Sequence, residues 1–239
     1  MTELPTRMAG VLLTGHGGLE RLEYRTDLPV PTPADDEVLV RVTATAKNNT
    51  DRKVREGLYP TDNDDDVTSF QLGDAPTLRF PRIQGADVVG NVAATGAGVD
   101  PARMGERGLL DFNIYGDARD DLNLVPDYFG HGRDGGFAEY VAVPSTQFHT
   151  VERPDLADAE LATLGMCSFQ TAFRMLNAAG ISAGEHVLVT GASGGVGTAL
   201  IQLCRLLGAI PHALSSPGKD QALVALGAET VIDRSQVAD

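Results

Sequence analysis

The hydrophobic pattern changes its period once along the chain. Up to residue 150 the apolar positions fall in short, β-branched runs set between glycine- and proline-containing turns. Val38-Leu39-Val40-Arg41-Val42 is one, the stretch from Asp87 to Val92 another, and Phe137-Ala138-Glu139-Tyr140-Val141-Ala142-Val143 alternates before Pro144. Runs of this kind predict strands. From residue 155 the spacing turns helical through DLADAELATLGMCSFQTAFRMLNAAG, broken by Gly165 and stopped by Gly180. Strands and helices then alternate: strand 186–190, a glycine turn, helix about 196–207, strand about 209–214, helix about 218–226 and strand about 230–233. Gly208 and Gly227 sit where helix C-cap glycines belong. Ser215-Ser216-Pro217 offers a cap and a first-turn proline to the second helix. The pattern predicts an α/β protein with a β-rich domain over 1–150 and a domain over 151–239 built on a parallel sheet.

The turn TGASGGVG, residues 190–197, follows a strand and opens an amphipathic helix inside a βαβ unit. Glycines let a backbone approach a pyrophosphate closely, and the helix N-terminus then supplies free N–H groups and a positive dipole end. The expected cofactor contacts are Gly191, Ala192, Ser193, Gly194, Gly195, Val196 and Gly197. A site selective for NAD places an acid after the second strand, to bond the ribose 2′-hydroxyl. Here that position reads Leu214-Ser215-Ser216-Pro217-Gly218-Lys219, with Arg234 after the third strand. Hydroxyls and cations suit a 2′-phosphate, so Ser215, Ser216, Lys219 and Arg234 predict NADP(H).

Charge narrows the partners. The chain has 33 acidic against 19 basic residues among 239, a formal net charge of −14. Nucleic-acid binding needs clustered cations, which this balance argues against. Only three lysines occur, Lys47, Lys53 and Lys219, a bias produced equally by salt adaptation or a GC-rich genome. No apolar run approaches the ~18 residues of a membrane span, and the N-terminus lacks a signal-peptide core. A cytoplasmic location is expected, with no membrane partner. Cys167 and Cys204 form no disulfide framework, and the five histidines show no zinc-binding spacing. The acidic run Asp62-Asn63-Asp64-Asp65-Asp66 lacks the spacing and glycine of a calcium loop and reads as a solvated turn.

The stretches NNTDRKVREGLYP (48–60), GADVVG (85–90), DGGFAEYVAVP (134–144), VLVTGASGGVG (187–197), SSPGK (215–219) and LGAETVID (226–233) together resemble the medium-chain dehydrogenase/reductases. The resemblance is to their zinc-free quinone oxidoreductase branch. It implies an N-terminal GroES-like catalytic domain, a C-terminal Rossmann domain and a small carbonyl or quinone substrate; a homo-oligomer, a dimer, is the expected assembly. Zinc-dependent members bind their metal through a Cys, a His-Glu pair and a later Cys or Asp. Those positions are Asn48, Ala86-Asp87 and Cys167 here, and the structural zinc lobe is absent. One soft ligand beside an amide and a methyl group does not make a tetrahedral zinc site, so no metal is expected. The resemblance also implies that Asn48 and Tyr59 line the substrate pocket as polar orienters, with Thr50 and Asp51 beside them.

Relatives of this kind continue for three further strands of the Rossmann sheet. The chain stops after the third, so a fragment or a short form completed by dimerisation is expected, with one sheet face carrying exposed apolar surface. Two other functions stay open: an alcohol dehydrogenase using Asp51, Asp87 and Cys167 around an unusual metal, and a non-catalytic nucleotide-binding protein.

Overall fold

The computed structural model describes residues 4–58, 78–115 and 127–237. Tyr59 and the acidic run at 62–66 lie outside them. The chain forms two compact units, one up to Gly165 and one from Met166. This division falls later than the one expected at 150/151. The helix following residue 157 packs Leu161 and Ala162 against Val89 of the first unit and so belongs to it.

The first unit contains strands β1 (Arg7–Leu13), β2 (Leu22–Pro29) and β3 (Glu37–Ala46), then helix α1 (Asn49–Arg55). Strands β4 (Arg82–Ile83), β5 (Asp87–Thr95), β6 (Arg107–Leu110), β7 (Asn113–Ile114), β8 (Asp127–Tyr128), β9 (Tyr140–Pro144) and β10 (Phe148–Thr150) follow, and helix α2 (Asp158–Leu164) ends it. The largest sheet has the order β10-β6-β5-β3-β9, and all its pairs are antiparallel. Val38, Val40, Val88, Val92, Val141, Val143 and Phe148 supply its core, as expected where β-branched side chains fill a pleated, buried surface. The strand expected from Phe137 starts at Tyr140. Before it, Phe137 N–H donates to Gln84 O and Ala138 makes an isolated bridge to Gly10. Glycine is required where the segments around 85, 130 and 135 meet backbone to backbone. A methyl at Gly130 would lie 2.8 Å from Gly85 N, and one at Gly135 would overlap the Gly85 carbonyl oxygen.

The second unit opens with α3 (Met166–Ala179). It continues β11 (His186–Thr190), α4 (Gly195–Leu206), β12 (Ile210–Ser215), α5 (Asp220–Ala225) and β13 (Thr230–Asp233). The three strands pair parallel in the order β11-β12-β13. Val189, Ala213, Ala199, Ile201, Cys204 and Leu223 form its core with Ala172 and Leu176 of α3. Gly208 at φ +78° and Gly227 at φ +110° end α4 and α5 in the left-handed conformation expected of them. The start of α5 differs from expectation. It begins at Asp220 with Lys219 as its N-cap, because Gly218 takes φ +79° and spends the Ser-Ser-Pro segment on a turn. The opposite sheet face is exposed: Leu188 is 58% and Ile232 38% accessible. On that face His186 stacks on His212 and hydrogen-bonds it across 2.7 Å, a pairing that sequence spacing does not show. Among the described residues no helix is long and apolar enough to cross a membrane.

Candidate functional site

In the second unit the candidate cofactor residues converge on the C-terminal ends of the parallel strands. Thr190 pairs with Leu214, and Ser215 with Asp233, so the three strand ends lie side by side. Ala192 N–H donates to Leu214 O at 3.2 Å and ties the glycine turn to the end of β12. The turn itself is tight. Gly191 has φ +60°, Gly194 N–H donates to Gly191 O, and Gly194 is the N-cap of α4. The first helical bond is from Thr198 N–H to Gly194 O, so the N–H groups of Gly195, Val196 and Gly197 are the ones an α-helix leaves without an i−4 acceptor. Ser193, Gly194 and Gly195 are exposed, whereas Ala192 and Gly197 are buried as packing.

Ser215 is 3% exposed, and its Oγ has no hydrogen-bond partner among the described residues. A buried hydroxyl without a partner costs about 1–3 kcal/mol, which a ligand oxygen reaching it would relieve. Ser216 is half-buried beside it, and Lys219 and Arg234 are exposed. The structure adds an acid that the sequence order conceals, Asp233 at the end of the neighbouring strand. Its Oδ1 already accepts from Ser235 N–H at 2.9 Å and from Ser235 Oγ at 2.8 Å.

In the first unit, Asn48, Thr50 and Asp51 meet at the first turn of α1. Asp51 Oδ2 accepts from Asn48 N–H at 2.7 Å, closing the helix N-terminus from its third position. Its Oδ1 accepts from Gly85 N–H at 3.3 Å, and Gln84 Nε2 donates to the Asp51 carbonyl at 3.0 Å. Burial pushes the Asp51 carboxyl up from 3.8 to about 6, against those two N–H donors and with help from the nearby Asp87. Asn48 does not stand apart as a pocket donor: its Nδ2 donates to Asp87 Oδ2 at 2.7 Å. The segments around Asn48 and Ala86-Asp87 therefore do come together, but as an amide-to-carboxylate hydrogen bond beside a methyl group. Among the described residues no group of three or more His, Cys, Asp and Glu side chains is placed to hold a metal ion.

Thr50 brings in side chains that sequence reasoning missed. Its Oγ1 lies 2.7 Å from the hydroxyl of Tyr128, 78 residues away. The Tyr128 ring stacks on His131 with centroids 5.1 Å apart, and His131 Nδ1 lies 2.8 Å from Asp127 Oδ1. Nothing in the local pattern of DYFGHGRD marks it as part of a site, because the contact depends on how β8 is placed against α1.

Comparison with known proteins accords with both units. Residues 34–154 match the alcohol dehydrogenase GroES-like domain. A 2-methylene-furan-3-one reductase of Solanum lycopersicum is 32% identical over 96% of this chain and 53% of its own length. Human quinone oxidoreductase is 32% identical over 84% of this chain and 50% of its own length. A solved Sinorhizobium meliloti 1021 protein, provisionally named an alcohol dehydrogenase, is 54% identical with a TM-score of 0.91, covering 99% of this chain and 65% of that one. The chain spans about half the length of the curated relatives it matches. With the GroES-like domain first and a glycine-turn parallel sheet after it, the chain belongs to the medium-chain dehydrogenase/reductase superfamily.

Proposed function

We propose that this chain carries the nucleotide-gripping and substrate-polarising parts of an NADPH-dependent reductase for quinones or α,β-unsaturated carbonyls, working without metal. The observation that carries the reading is the unpartnered, buried Ser215 Oγ at the end of β12, beside the glycine turn. The residues present fit NADP(H). Gly191 to Gly197 present a helix N-terminus to a pyrophosphate, and Ser215, Ser216, Lys219 and Arg234 supply hydroxyls and cations for a 2′-phosphate. Asp233, the nearby acid, is held by Ser235.

When bound, the nicotinamide supplies a hydride. The chain's own task is to hold the substrate oxygen on which negative charge gathers, which preorganised donors do without a Lewis acid. Thr50 is the donor we assign, since the Asn48 amide is engaged with Asp87. Asn48 and Asp51 then act as its supports, fixing the helix turn on which Thr50 sits. Tyr59 keeps the pocket role that the family resemblance implies. A quinone or enone suits such a site because its charge is delocalised. The metal-free reading rests on Asn48 and Ala86 standing at two of the family's zinc-ligand positions.

The test is calorimetric titration of the full chain with NADPH and NADH, repeated with Lys219→Glu and Ser215→Ala. Preference for NADPH is expected, shrinking about tenfold or more in Lys219→Glu as a charge-assisted contact becomes repulsive. Equal affinity of the parent for both cofactors would overturn the assignment. Turnover surviving chelators supports the metal-free reading, and stoichiometric zinc in the purified protein would promote the alcohol dehydrogenase alternative.

A further inference from the structure

We infer that Tyr128 is a positioning residue for Thr50, setting the direction in which the Thr50 hydroxyl is offered to a carbonyl oxygen. The inference rests on the proposed reading of Thr50 as the oxygen-holding donor. Two hydroxyls 2.7 Å apart share one hydrogen bond, and one of them donates it. A phenol is the stronger acid and the better donor, while an aliphatic hydroxyl oxygen is the better acceptor. Tyr128 therefore donates to Thr50 Oγ1, and the Thr50 proton is directed away from Tyr128. Donation into Thr50 also polarises its own O–H, which strengthens the outgoing bond.

The phenol can do this because little else about it is free to move. Tyr128 is 8% exposed. Its ring packs in a T-shaped contact with Phe112, with centroids 6.1 Å apart, and stacks on the His131 ring. Its N–H donates to Asp127 Oδ1 at 2.7 Å, the same oxygen that holds His131. Phe129 N–H donates to Phe112 O at 2.8 Å, and His131 N–H to Tyr128 O at 3.1 Å. The Asp127–His131 pair thus braces the ring, the ring fixes the phenol, and the phenol aims Thr50. Thr50 is half-buried on the first turn of α1, so a directed proton there is accessible to a small ligand.

The experiment compares the full chain with Tyr128→Phe, Thr50→Val, Thr50→Ser and the double variant Tyr128→Phe/Thr50→Val. Tyr128→Phe keeps the ring and its stacking, and an unchanged melting temperature checks this. The first readout is NADPH oxidation with 2-cyclohexen-1-one and with 9,10-phenanthrenequinone. Tyr128→Phe is expected to lower kcat about tenfold with KM for NADPH unchanged, and Thr50→Val to lower it at least as much. Thr50→Ser should retain most of the activity, and the double variant should be no worse than Thr50→Val alone. Full kcat in Tyr128→Phe, or losses that multiply in the double variant, would overturn the inference.

The second readout needs no turnover: the carbonyl 13C resonance of labelled 2-cyclohexen-1-one, titrated with each protein. A downfield shift with the parent chain, reduced in Tyr128→Phe and lost in Thr50→Val, supports the positioning role. No shift with the parent chain, or one that Tyr128→Phe leaves intact, overturns it. A shift without any turnover would sink the proposed reaction and leave the positioning role standing.

Discussion

Gly197→Ala isolates what the glycine turn requires of its own backbone. Gly197 is buried in the first turn of α4. A methyl there would overlap the Gly191 carbonyl oxygen and sit 2.7 Å from Ala192 Cα and 2.8 Å from Ala192 C. All three obstacles are backbone atoms of the turn, so no side-chain rotation relieves them. Overpacking a tight site costs roughly 1–3 kcal/mol, and an obstacle of backbone places this change at the top, about 3 kcal/mol. The neighbouring glycines provide an internal scale. Gly191→Ala meets no atom within 4 Å but keeps φ +60°, a cost of about 1–2 kcal/mol. Gly195→Ala meets only the Ser168 side chain, its Oγ at 2.6 Å and its Cβ at an ordinary 3.6 Å; the hydroxyl can turn away, so the cost stays below about 1 kcal/mol.

Urea unfolding of the full chain followed by circular dichroism measures all three. With a slope of roughly 2 kcal/mol per molar urea, Gly197→Ala should bring the second unit's midpoint down by about 1.5 M. The expected order of loss is Gly197 over Gly191 over Gly195. A Gly197→Ala protein as stable as Gly195→Ala would refute the argument. Packing would then give no reason for glycine at 197, leaving the proposed NADPH binding as the reason, and Gly197→Ala should weaken that binding without any loss of stability.

Two further outcomes follow from the first unit. The Asp51 carboxyl titrates near 6 in the folded chain against 3.8 unfolded. Its contribution to stability is therefore full below about pH 3.8 and lost as pH rises through about 6, on the order of 3 kcal/mol across that window. Unfolding free energies of the parent chain and Asp51→Asn, measured from pH 4 to 7, should diverge across that range, and a constant difference would refute the burial argument. Arg107 donates to Asp158 Oδ1 at 2.6 Å, Leu156 O at 2.6 Å and Arg153 O at 3.0 Å, holding the chain that leads into α2. Lysine cannot reproduce that fork, so Arg107→Lys should cost about 2 kcal/mol in urea unfolding. No change would show that α2 is held by its apolar face alone.

Much of the second unit was legible in the sequence because its signals are local. A strand ending in glycines, helices closed by Gly208 and Gly227, and a hydroxyl-rich segment after β12 all act within a few residues of themselves. The one local error, the start of α5, came from competing turn signals: Pro217 suits a first helical turn, yet Gly218 in a left-handed conformation continues the loop to Lys219. In the first unit, the sequence marked Asn48, Thr50 and Asp51 as neighbouring candidates, but its β-rich pattern did not predict the helix α1 that they open. Their division of labour was decided by contacts from distant strands. Asp87, 39 residues on, takes the Asn48 amide, and Tyr128, 78 residues on, reaches Thr50. Likewise the placement of Asp233 beside Ser215 exists only once β12 and β13 pair in register. Hydrophobic period and turn chemistry are properties of neighbours in the chain, so the sequence alone marked the elements of the second unit and the longer core strands of the first. Which hydroxyl, amide or carboxylate is left to meet a ligand depends on long-range packing, and only the tertiary structure decided that.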